Sequence, residues 1–132
     1  MKRCFSLFMV LILMLSIAGC AIKSKAPKTF EIPDAEKLTV MSGSTGESID
    51  ITDKDDIKYI TDNICALKYS NNGKVDSDGW SYFLQWFDEN GEVIEKLTLT
   101  GDGYTVIYDG CFYKGMEADY EIDLHFLEDM FQ

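Results

Sequence analysis

Four cysteines and one histidine are the residues of this chain best suited to covalent or metal chemistry. The cysteines stand at 4, 20, 65 and 111 with no CxxC pair, and His125 is alone, so the ligand spacing of a zinc site is missing. A single histidine near the C-terminus also gives no Ser–His–Asp or Cys–His couple. Asp76, Asp78 and Gly79 make half of a calcium-loop pattern. The register then requires an acid at 74 and a glutamate at 85, where Lys74 and Gln85 stand. An irregular, weak Ca2+ site at Asp76 and Asp78 stays open, against the alternative of a solvated turn. Residues 43–48, GSTGES, carry the glycines of a phosphate loop without its lysine, and a strand follows, so they read as a hairpin turn. The carboxylates are numerous, but their spacing identifies no acid–base couple. The expectation is a protein that is not an enzyme and has no cofactor and no metal.

Cys20 has a different context. Lys2 and Arg3 precede an apolar run from Phe5 to Ile17, and the small residues Ala18 and Gly19 follow. That order describes a secretory signal peptide. The competing reading is a membrane helix, for which the run from Phe5 to Ile22 is at the short edge. Ile17-Ala18-Gly19-Cys20 resembles the lipobox of bacterial lipoproteins. The resemblance implies cleavage before Cys20 and a diacylglyceryl group on its thiol, hence a lipid-anchored protein on the outer face of the cell membrane. Residues 1–19 are then the signal peptide and 20–33 a lipid-anchored tether. The tether carries Lys23, Lys25 and Lys28 near the headgroups, with Pro27 and Pro33 opposing regular structure. Residues 34–132 form the head. In that extracytoplasmic setting Cys65 and Cys111 could form a disulfide; alternatively they are two buried small hydrophobes that never meet.

The head reads as α+β. Leu38 and Val40 alternate in 37–42, and Ile49 and Ile51 alternate beyond the Gly-rich turn, which predicts a hairpin. Thr52 and Asp53 offer caps for a helix over 54–67 with Ile57, Ile60, Ile64 and Leu67 on one face. A loop, SNNGKVDSDG, follows. From Trp80 the period changes to two. Segments 80–88, 92–100, 104–108 and 111–115 are separated by Asn90-Gly91, Gly101-Asp102-Gly103 and Gly110, which predicts a four-strand meander. Asp123 caps a short C-terminal helix with Leu124, Leu127 and Phe131. The expected order is ββαββββα, an antiparallel sheet packed on one long helix and one short one.

In the meander one sheet face is apolar throughout. The other carries Phe83, Gln85, Phe87, Ile94, Lys96 and Ile107, an unusual mixture for a solvated face. Two accounts compete. Either the C-terminal helix or the tether covers this second face, or it is an exposed patch for a protein or glycan partner. The balance of 12 basic against 23 acidic residues, a net charge of −11, disfavours nucleic acid. In layout, and in features such as DGWSYFLQW, the chain resembles small lipoproteins of gut Gram-positive bacteria, a resemblance that implies no catalytic activity. The expected function is a membrane-anchored binding or adaptor module for a protein or cell-wall ligand. The alternative is an inhibitor-like or sensor module whose acidic surface engages a basic enzyme.

Overall fold

A computed structural model describes residues 27–74, 79–117 and 119–132. The leader, Cys4, Cys20, Lys23, Lys25, Asp76 and Asp78 lie outside the described residues. Among the described residues no helix is long and apolar enough to cross a membrane.

The fold is α+β, as expected, with a seven-stranded antiparallel sheet and two helices. Strand β1 (Lys37–Ser42) pairs with β2 (Ser48–Ile51) in the register Leu38↔Ile51 and Val40↔Ile49, which puts all four apolar residues on one face. Gly46, at φ 73°, closes the turn between them by donating its N–H to the Ser42 carbonyl at 2.9 Å. Helix α1 (Lys54–Cys65) begins where Asp53 Oδ1 accepts from the N–H groups of Asp55 (2.9 Å) and Asp56 (3.2 Å). Its 12 residues are fewer than expected, because Ala66 already closes the last turn and Leu67 enters the core from the following loop.

The segment after α1 departs from the expectation. Tyr69–Lys74 is a strand, β3, rather than loop, so the order is ββαβββββα. Its sequence, YSNNGK, hides the strand because only Tyr69 contributes a large buried side chain. The Tyr69 hydroxyl donates to the Ile64 carbonyl at 2.8 Å. As an edge strand, paired along its length with β7 and bridged on its other side at Tyr69 to Lys28, it tolerates the polar residues and the irregularity between Asn71 and Gly73.

The meander follows as β4 (Tyr82–Phe87), β5 (Val93–Leu99), β6 (Thr105–Tyr108) and β7 (Cys111–Gly115). The strand order is β2-β1-β4-β5-β6-β7-β3. Asp109 and Gly110, both at positive φ, form the two-residue turn between β6 and β7 that the Asp-Gly pair signals. The β4–β5 connection is longer: Asp88 accepts from the N–H groups of Asn90, Gly91 and Glu92, and only Gly91 takes positive φ. Helix α2 (Leu124–Asp129) is capped by Asp123, which accepts from Phe126 N–H at 3.1 Å.

One layer of structure covers one face of this sheet. Ile57, Ile60 and Ile64 of α1 and Leu127 of α2 are buried with Leu38, Leu84, Trp86, Leu97, Leu99 and Val106. The Trp86 indole N–H donates to Thr61 Oγ1 at 2.9 Å and ties β4 to α1. The N-terminal segment joins the same layer. Lys28 and Tyr69 exchange two backbone hydrogen bonds of 2.8 Å, and Phe30 is 4% exposed, edge-on to Tyr69, Tyr108 and Tyr113. Residues from Lys28 onward therefore pack on the head, including 28–33 of the span expected as tether. Phe30 and Ile32 alternate, but two residues before Pro33 are too short a pattern to mark the segment as packed; burying the phenylalanine removes a large apolar surface from water.

Candidate functional site: the uncovered sheet face

Both helices and the N-terminal segment pack on the first sheet face. Neither the C-terminal helix nor the described part of the expected tether covers the second. That face can be read row by row from the strand register. Met41 pairs with Phe83, Phe83 with Thr98, Thr98 with Ile107, and Ile107 with Phe112. The five residues form one line across five strands, roughly 19 Å long at the usual strand spacing. All are half-buried, shaded by their cross-strand neighbours on the pleat.

Polar rows flank this line. On one side Thr39 pairs with Gln85 and Gln85 with Lys96, and beyond them Lys37 pairs with Phe87. The Lys37 ammonium lies 4.4 Å from the Phe87 ring centroid. On the other side Lys114 pairs with Thr105 and Ser70. Two shallow concavities straddle the central line. One, of about 610 Å³, is lined by Phe83, Lys96, Thr98, Ile107 and Asp109. The other, of about 460 Å³, is lined by Thr105, Phe112 and Lys114.

Of the residues expected on this face, the structure brings together Phe83, Gln85, Phe87, Lys96 and Ile107. Ile94 is a correction. The β4–β5 register shifts between Trp86 and Phe87, so that Phe87 opposes Val93 and Trp86 opposes Glu95. The bulge reverses the alternation beyond it, and Ile94 packs against the core while Val93, 46% exposed, takes its place outside. Sequence reasoning missed Met41, Thr39, Lys37, Phe112 and Lys114. The first three alternate with Leu38 and Val40, a usable signal. Phe112 and Lys114 lie in a strand too short to assign faces by pattern alone.

The electrostatics of the face are uneven. Asp50 accepts from Thr39 Oγ1 at 2.6 Å and lies 3.4 Å from Lys37 Nζ. The Thr39 hydrogen bond, then Lys37, hold its carboxyl below the usual range against slight desolvation. Asp102, at the β5–β6 turn, is partly desolvated, which raises it. The hydroxyls of Thr105 and Thr100 and the N–H groups of Tyr104 and Thr105 outweigh this and lower it. Glu95 lies beside Tyr108, and its charge, with burial and Asp109, pushes that phenol up. Lys96 and Lys114 are exposed and make no ion pair among the described residues. Asp50 and Asp102 are thus engaged by the protein's own donors, whereas Glu95 and Asp109 line the concavity beside Lys96.

The remaining sequence candidates lie elsewhere. Cys65 ends α1 and Cys111 begins β7; both are half-buried free thiols. Burial pushes the Cys65 thiol up, which disfavours the reactive thiolate. His125 is on the surface of α2, 3.1 Å from Glu128. No group of three or more metal-ligating side chains occurs among the described residues.

No protein-family model, curated protein or solved structure matches the chain.

Proposed function

We propose that the chain is a lipid-anchored, extracytoplasmic lipoprotein whose head is a binding or adaptor module rather than an enzyme, and that a protein partner docks on the uncovered sheet face. The leader and Cys20 support the location. The observation that carries the binding role is the row Met41–Phe83–Thr98–Ile107–Phe112, left outside by a fold that stacks every described helix on the opposite face. Antiparallel sheets with one solvated face normally present polar side chains there. An apolar line with a rim of lysine, threonine and glutamine has the make-up of a recognition surface.

In-cell photo-crosslinking from the native host tests this reading. A benzophenone side chain in place of Thr98 samples the face, and one in place of Asp55 samples the exposed start of α1. Protein adducts are expected from position 98 and not from 55. Adducts from 55 alone would instead favour the acidic surface engaging a basic enzyme. Intact mass of the mature protein should show a chain beginning at Cys20 with acyl groups; a free N-terminal methionine would refute the anchor.

A further inference from the structure

We infer that the occupant of the uncovered face is a second copy of this chain, stacked face to face about a two-fold axis that runs along the apolar line. This rests on the reading of that face as a docking site and names the partner. Charge balance is the first argument. In a chain of 23 acids and 12 bases, this face sets Lys37, Lys96 and Lys114 among Asp50, Glu95, Asp102 and Asp109, so it is close to neutral. As whole bodies two such acidic chains repel each other; at this face the repulsion is lifted.

The positions of the charges supply the second argument. The apolar line separates two concavities, and each holds both signs: Lys96 with Asp109 on one side, Lys114 with Asp102 on the other. A two-fold axis along the line lays each concavity over the opposite one of the second copy, the self-complementarity that a two-fold interface requires. Lys114 then faces the end of β6, where Asp109 is exposed and makes no ion pair among the described residues. Lys96 faces Thr100 and Asp102, which are joined by a 2.7 Å hydrogen bond. Phe83, Thr98, Ile107 and Phe112 lie on the axis and meet their own counterparts, with strands aligned and sheets about 10 Å apart. The other face-to-face two-fold, along β5, would set Lys96 against Lys96 and is disfavoured. Five strands by three rows give a footprint of roughly 400 Å² per copy at the usual spacings, about half that of a standard interface. The pairing is therefore weak in solution, and the proposed anchor strengthens it by confining both copies to one membrane.

The full chain in neutral phosphatidylcholine vesicles, with donor or acceptor dyes at its C-terminus, reports pairing by energy transfer. Transfer above the level of random crowding is expected. Lys114→Asp and Asp109→Lys should each weaken pairing about tenfold, because each sets like charges together at both symmetric contacts. An equal mixture of the two should restore it, since every Lys114–Asp109 contact between unlike copies again joins opposite charges. Lys58→Asp, on the exposed side of α1, should change nothing. Should tryptophan fluorescence show either variant unfolded, Thr98→Cys decides. On the axis, it should be bridged between copies by a short bismaleimide in a Cys65→Ala/Cys111→Ala background, where Lys58→Cys is not. The inference is overturned if the folded variants fail to restore pairing when mixed, if wild type transfers no more than random crowding, or if Thr98→Cys is bridged no better than Lys58→Cys. Adducts from position 98 in cells at a mass other than twice the chain would then keep the docking face and discard the second copy. Loss of those adducts as well would remove both readings.

Discussion

Phe30 decides where the folded head begins, so Phe30→Ala is the most informative single change. The ring is 4% exposed and meets three tyrosine rings edge-on, with centroids 5.0 Å (Tyr69), 5.2 Å (Tyr108) and 5.8 Å (Tyr113) away. Buried Phe→Ala changes cost about 3–5 kcal/mol. Here the segment can detach instead of leaving a cavity, because its described backbone ties are the Lys28–Tyr69 pair and the Glu36 N–H to Phe87 carbonyl bond. Detachment caps the loss at what the docked segment contributes. Ala35, also 4% exposed, and the Lys28 ammonium, 3.9 Å from the Tyr108 centroid, are part of that contribution. A loss of about 3 kcal/mol is the expected size, which for a head of this length lowers Tm by roughly 10–20 °C. Urea unfolding of the full chain in neutral micelles, followed by Trp86 fluorescence, measures it. A change below about 0.5 kcal/mol, the level of an ordinary surface substitution, would refute the docking of residues 28–35 and restore the longer tether.

Two further changes probe the elements that hold the open face in shape. Asp102→Ala removes an acceptor of two side-chain and two backbone donors at the β5–β6 turn, and should cost about 1–2 kcal/mol at neutral pH. Since its folded pKa is depressed below 3.8, Asp102 stabilises the fold above that value, and its contribution fades as pH falls through the folded pKa. The gap between the urea midpoints of wild type and variant should therefore begin to narrow as pH falls below about 4; a gap that does not narrow with falling pH would contradict the role of the carboxylate. Thr61→Val keeps the shape of the side chain but strands the Trp86 indole N–H, whose bond to Thr61 spans helix and sheet at 2.9 Å. A loss of about 1–3 kcal/mol is expected in the same assay, and a neutral result would mean that water reaches the indole.

Much of this fold is legible in the sequence because local signals and tertiary packing agree. Asp53 and Asp123 cap the helices they precede, and period-two alternation marks β1, β4 and β5. The misreadings share a cause: a tertiary contact chose the conformation without leaving a periodic trace. Tyr69 recruits YSNNGK to the sheet edge, and Phe30, with Ile32 and Ala35, recruits the N-terminal segment. The candidate face was half legible. Alternation places Phe83, Gln85 and Phe87 correctly, but alternation assumes an unbroken ladder, and the bulge opposite Trp86 turns Ile94 inward. Whether a second face is covered depends on where helices dock, and α2 could have lain on either side. Phe131 stacking on Tyr82 and the burial of Leu127 settle it on the core side.

The docked N-terminal segment also changes how the proposed anchor would work. With lipid on Cys20, residues 21–27 are all that separate the bilayer from Lys28, and fully extended they reach about 25 Å. That is comparable to the size of the head itself, whose radius of gyration should be near 13 Å for about a hundred residues. The Lys28 ammonium, expected near headgroups, lies over the Tyr108 ring and beside Phe30 and Tyr113. Lys28 bridges to Tyr69 of β3, at the sheet edge opposite β2. The proposed anchor would thus join the head beside β3, and the apolar line, which runs from β1 to β7, ends next to that edge.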